Sequence, residues 1–146
     1  MHRLTGKIDE NLGPVVDVVL CVTRAREEAL QKAGRAVPAR ITNLRALIDT
    51  GSDRLAIDSE HAGLLGLPVR ARDKVRTVDQ IKYPTLFEVG VRIDFGDREL
   101  MFEVQGCCFN GLKHGNEIDM IIGRDILEAF VFHYDGPGKT FTLTCQ

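Results

Sequence analysis

Apolar and polar residues alternate in short runs along most of this chain, and turn residues separate the runs. Pro14 to Thr23 is rich in valine (Val15, Val16, Val18, Val19, Val22) and alternates loosely, which is strand composition. Arg24 to Lys32 changes to good helix formers of mixed charge, with Gly34 as a stop. Residues 24–34 therefore read as an insertion, either a short helix or a long hairpin arm, before a returning strand over Val37 to Asn43. Leu44 to Ile48 then runs straight into Asp49. Leu55 to Ile57 is a brief strand, and Asp58 or Ser59 caps a helix through Leu65 that Gly66 and Pro68 stop. His61 is expected on the solvated side of that helix.

Further along, Lys74 to Val78 and Thr85 to Ile93 predict two strands around Asp79 to Pro84. Glu99 to Val104 predicts another, with Leu100, Phe102 and Val104 on one face. A second buried strand, Ile118 to Ile122, ends at Gly123, and a single helical turn is expected over Asp125 to Ala129. Phe130 to Tyr134 and Thr140 to Thr144 flank Asp135-Gly136-Pro137-Gly138, a strong hairpin signal. There are many short strands and no βα alternation, repeat or linker. The pattern predicts an all-β barrel or sandwich with small helices.

Composition narrows the function classes. At 146 residues the chain is one domain, and 44% hydrophobic with 27% charged residues is ordinary for a globular protein. A net charge of −2 with both signs mixed argues against nucleic acid as a partner. No segment approaches the roughly 20 apolar residues that span a bilayer. Asp17 breaks the first apolar run, so no signal peptide is read and a cytoplasmic chain is expected. Cys21, Cys107, Cys108 and Cys145 have no metal-finger spacing, so reduced structural thiols are expected, without metal or cofactor. The adjacent Cys107 and Cys108 point to opposite faces if their stretch is a strand.

The chemistry concentrates at Leu47-Ile48-Asp49-Thr50-Gly51-Ser52-Asp53. An apolar strand that carries a carboxylate to its end places an acid where it is fixed yet reachable, and an unpaired buried charge is costly. Gly51 lets the backbone pass close to that carboxylate, and the flanking hydroxyls can donate to it. Asp-Thr-Gly is also ordinary turn chemistry.

The second apolar-to-turn segment adds weight. Leu47-Ile48-Asp49-Thr50-Gly51-Ser52 and Ile121-Ile122-Gly123-Arg124-Asp125, in this order and with the closing hairpin, resemble the retropepsin-like aspartic peptidases of cellular and bacterial type. The likeness runs from about Val15 to Gln146, the 24–34 insertion apart. It implies a single retropepsin-like domain over residues 1–146, a closed barrel with one or two short helices that acts as a two-fold homodimer. It also implies that Asp49 is the catalytic acid of an endopeptidase acting on polypeptide. Thr50 would lock the loop across the dimer, Gly51 would offer its backbone at the site, and Gly123 would belong to the supporting segment. Asp53 and Arg124 would pair, a planar guanidinium holding a carboxylate. Val78, Asp79, Gln80, Ile81, Lys82 and Tyr83 fall where the family has its flap, although this tip lacks glycine.

Hydrolysing a peptide bond with carboxylates alone takes two, one ionised and one protonated. Asp49-Thr50-Gly51 occurs once, and neither Asp119 nor Asp125 is followed by Thr/Ser-Gly. The second acid must come from Asp49 of another subunit, hence the homodimer. Ser52 is expected to donate to the outer oxygen of Asp49 and favour its charged form, with a plain turn serine as the alternative. Two other readings compete. One is a catalytically inactive dimerisation or peptide-binding module; the other is a metal-dependent hydrolase with Asp49, Asp53 and Asp58 as oxygen ligands.

Overall fold

In the computed structural model, residues 1–72, 75–76, 81–82, 85–109 and 117–146 are described, with backbone alone over 69–85. The strands are β1 (His2–Asp9), β2 (Gly13–Cys21), β3 (Ile41–Ile48), β4 (Ala56–Asp58), β5 (Val69–Arg72), β6 (Val75–Arg76), β7 (Ile81–Lys82), β8 (Thr85–Asp94), β9 (Glu99–Phe109), β10 (Met120–Ile122), β11 (Val131–Asp135) and β12 (Thr140–Cys145). Three short helices accompany them: α1 (Arg24–Lys32), α2 (Ser59–Leu65) and α3 (Arg124–Leu127).

Ten strands pair in the order β11-β12-β1-β2-β3-β10-β4-β9-β8-β5, and a further pairing of β2 with β8 closes the ring. The closed barrel is thus β2-β3-β10-β4-β9-β8. Closure depends on β2 changing partners along its length. Val15 to Val18 and Leu20 pair with β3, while Val19 to Cys21 pair with β8, and a register shift separates Val18 from Leu20. Such an irregularity bends a strand and lets it serve two neighbours.

Alternation fills the barrel. Val16, Val18 and Leu20 of β2, Leu44, Ala46 and Ile48 of β3, Val89, Val91 and Ile93 of β8, and Met120 and Ile122 of β10 are all buried in one cluster. Phe141 and Leu143 of β12 join them from the terminal sheet. Cys107 and Cys108 do face opposite ways. Cys107 lies in a second small cluster with Ala56 and Leu86, and Cys108 packs on the main core.

The insertion is a helix. Thr23 accepts the Arg26 N–H through its side chain at 3.2 Å, and Leu30 is the buried residue of α1. Asp58 caps α2 by accepting the Glu60 N–H, and Gly66 ends it at φ 58°, a left-handed conformation that glycine adopts without strain.

Several elements differ from the sequence reading. β5 (Val69–Arg72) was not expected, and of the strand expected over Lys74 to Val78 the described residues Val75–Arg76 form β6. The returning strand starts at Ile41 and not at Val37, because Pro38 has no N–H for a ladder and β2 offers partners only from Leu20 back. β1 was not expected, yet Leu4, Gly6 and Ile8 alternate inward and its ladder runs along β12 from His2↔Cys145 to Lys7↔Thr140. β9 continues past Val104 to Phe109, since β4 and β8 supply partners on both sides.

Candidate active site

β3 and β10 run parallel, with Met120 opposite Ala46 and Ile122 opposite Ile48. The Asp49 N–H donates to the Ile122 carbonyl at 3.0 Å, extending the ladder by one residue. Asp49 is therefore the last residue held by the barrel before the chain turns. Asp49 is half-buried, and Thr50 and Gly51 beyond it are exposed. The Gly51 N–H donates to Asp49 Oδ1 at 2.9 Å, and the Ser52 N–H donates to the Asp49 carbonyl at 3.2 Å. Among the described residues no donor reaches Asp49 Oδ2, so one oxygen is anchored and the other is left without a protein hydrogen bond.

The second motif braces this loop. The Arg124 N–H donates to the Ser52 carbonyl at 2.8 Å, and Arg124 Nη1 donates to the Thr50 carbonyl at 2.7 Å. Asp125 Oδ2 accepts the Leu55 N–H at 2.9 Å, and its Oδ1 accepts the Ile126 N–H at 3.0 Å. Burial pushes the Asp125 carboxyl above the ordinary carboxylate range, and those two N–H donors oppose the shift. Gly123 permits the approach: a Cβ there would stand 2.7–2.8 Å from backbone atoms of Arg54. The loop and the first turn of α3 thus clasp each other through main chain.

Thr50, Gly51, Ser52, Gly123 and Arg124 therefore gather around Asp49. Two expected side-chain contacts are absent. Ser52 Oγ donates to the Arg54 carbonyl at 2.8 Å and not to Asp49, so its hydroxyl locks the loop's own main chain. Arg124 does not pair with Asp53; its guanidinium takes the Thr50 carbonyl, and Asp53 is exposed. Asp49, Asp53 and Asp58 do not converge either, since the Asp58 carboxylate caps α2 at the far end of β4. No group of three or more His, Cys, Asp or Glu among the described residues is placed to hold a metal.

Of the expected flap, Val78, Asp79, Gln80 and Tyr83 lie outside the described residues. Ile81 and Lys82 form β7, which pairs antiparallel with β6, Val75 opposite Lys82 and Arg76 opposite Ile81.

A buried pair near the loop went unrecognised in the sequence. His61 is 5% exposed, not solvated, and its Nε2 lies 3.1 Å from Asp119 Oδ1. Asp119 Oδ2 accepts the Arg45 N–H at 2.9 Å, so the pair ties α2 to the strand that carries Asp49. The signal was available: an acid between Ile118 and Met120, inside a buried apolar run, needs a partner. His61 turns inward because Ala62 and Leu65 bury the same side of the helix.

No family model and no curated protein matches this chain in sequence. Solved structures do match. The chain superposes on a retropepsin-like aspartic protease from Rickettsia conorii with a TM-score of 0.63 at 15% identity, covering 98% of this chain and 90% of that one. A retroviral protease-like domain of Ddi1 from Leishmania major aligns at 14% identity and a TM-score of 0.47, covering 88% and 87%. The fold is retropepsin-like, as the paired motifs implied.

Proposed function

We propose that this chain is an aspartic endopeptidase that acts as a homodimer, with water activated between two Asp49 carboxylates, one from each subunit. The observation that carries the reading is the state of Asp49, anchored through Oδ1 by the Gly51 N–H and open at Oδ2. Two such carboxylates facing across a two-fold axis cannot both ionise, so they share one proton. The ionised member draws a proton from water, and the protonated member polarises the peptide carbonyl. Their titration belongs to the pair and not to either acid. The retropepsin-like fold supports this assignment, although fold alone does not define an activity. Substrate would lie extended between the two subunits, its backbone paired as in strand addition.

Cleavage of a diverse peptide library by wild type and Asp49→Asn, between about pH 4 and 7, tests the proposal. Cleavage by wild type that scales with the dimer fraction, and is lost in Asp49→Asn, is expected. A confirmed dimer that binds peptides without cleaving any of them would instead mark a binding module.

A further inference from the structure

β2 is supported unevenly along its length. It pairs with β1 only at Gly13 and Pro14, opposite Asp9 and Ile8, and with β8 only from Val19 onward. Between those pairings, Val15 to Val18 have β3 on one side and, among the described residues, no strand on the other. β1 is one-sided too from His2 to Lys7, where β12 is its partner. Two strand edges therefore splay apart beyond the Ile8–Pro14 pair, each with N–H and C=O groups that no ladder takes. An open cavity of about 340 Å³ lies in this fork, lined by Thr5 and Gly6 of β1, Val15 and Asp17 of β2, Asp94 of β8 and the Phe141 ring of β12. That volume is within the range of small ligand sites. A second lobe of about 150 Å³ continues past Asp17 and Asp94, which line both, toward Thr42 and Arg92.

The charge of this groove is one-sided. The Asp17 carboxylate is exposed and, among the described residues, makes no hydrogen bond or ion pair. Asp94 accepts one N–H, from Gly96 at 2.8 Å. Among the described residues no lysine lines either lobe, and the Arg92 guanidinium already holds Glu99 at 2.9 Å. Asp17 and Asp94 each stand two residues beyond the last β2–β8 pair, Val19↔Arg92, so they meet where the two strands part. Carboxylates brought together in this way repel, and a cation between them relieves the repulsion.

We infer that the fork is a docking groove for an extended polypeptide segment that carries a lysine or arginine. The main chain of the segment adds to the open edge of β2, as in strand addition, and its cation sits between Asp17 and Asp94. The site makes no use of Asp49, so it stands or falls separately from the peptidase reading.

Peptide titration tests it. The full chain carrying Asp49→Asn, which keeps the probes intact, is titrated with fluorescein-labelled heptapeptides of alternating Thr and Val whose central residue is Lys or Glu. By polarisation the Lys probe should bind with a Kd of about 0.1 mM or tighter, and the Glu probe about tenfold more weakly or worse. Asp17→Lys should reverse that preference without moving Tm, because the carboxylate it replaces holds no partner. A Lys probe methylated at every peptide nitrogen cannot donate to a strand edge and should lose about tenfold or more in affinity. In amide NMR spectra the signals of Val15 to Val18 should shift with the Lys probe. Equal binding of the Lys and Glu probes, or a preference that survives Asp17→Lys, overturns the groove. Undiminished binding of the methylated probe overturns strand addition. No binding of any probe up to about 1 mM leaves Asp17 as a charge that merely blunts an edge, and the inference fails.

Discussion

Adding one methyl group to three different glycines should have three different effects. A Cβ at Gly123 would stand 2.7 Å from the Arg54 carbonyl oxygen, where ordinary contact begins at 3.4 Å. The shortfall is about 0.7 Å, and the obstacle is main chain on both sides, so no side chain can swing away to relieve it. Overpacking of this kind costs about 1–3 kcal/mol, which for a domain of this size lowers Tm by about 3–10 °C. The displacement also falls on the clasp, because the Arg124 bonds to Thr50 and Ser52 begin one residue later. At Gly63, inside α2, a Cβ meets nothing within 4 Å. Gly63→Ala should therefore stabilise by about 0.5–1 kcal/mol, through the lower entropy of the unfolded chain. Gly66 also has open space, but its φ of 58° charges an alanine about 1–2 kcal/mol. Urea unfolding of the three alanine variants should rank Gly63→Ala above wild type, then Gly66→Ala, with Gly123→Ala at or near the bottom. Gly123→Ala within about 0.5 kcal/mol of wild type would refute the close-approach argument.

Asp119→Ala strands the Arg45 N–H and the His61 ring nitrogen, and should cost about 1–3 kcal/mol for each by chemical denaturation. Ser52→Ala removes the bond to the Arg54 carbonyl and should cost about 1 kcal/mol while leaving the acidic limb of any pH–activity profile in place; a shifted limb would restore the Ser52–Asp49 bond. Burial raises the Asp125 pKa above 3.8, so the folded chain holds that proton more tightly than the unfolded one. Its contribution to stability is full below 3.8 and is lost as pH rises through the folded value. The stability of wild type relative to Asp125→Asn should therefore fall as pH rises from below 3.8 through the raised folded value, and a gap that widens instead contradicts the assignment. Burial pushes the Cys107 thiol up to about 11, so alkylation of the native chain near pH 8 should spare Cys107, and mass mapping of early labelling at Cys107 would count against its burial.

The sequence was most informative where main chain alone decides geometry. The Asp49 loop and the Gly123–Asp125 turn were legible as motifs, and the structure brings them together through backbone bonds that any sequence with glycine at Gly123 can make. Side-chain partners were harder to read. Ser52 and Arg124 each chose a carbonyl over the carboxylate that the sequence suggested, and such choices turn on differences of an ångström that residue order does not encode. His61 was misread because a helix of seven residues has too few positions to reveal which side is buried. β1 escaped notice because its inner face is Leu4, Gly6 and Ile8, and a glycine at the centre weakens the alternation that marks a strand. That glycine is needed, since a Cβ there would meet the Phe141 ring at 2.5 Å.

The parallel pairing of β3 with β10 has a consequence for synthesis. Asp49 is made early, but the strand beside it and the helical turn that clasps its loop come more than 70 residues later, at Met120 to Leu127. Until those residues leave the ribosome, the Asp49 N–H has no Ile122 carbonyl and the loop has no Arg124. A nascent chain therefore cannot assemble the Asp49 loop in its clasped form. On the proposed reading, peptide hydrolysis would begin only once that distal segment has been made and has clasped the Asp49 loop.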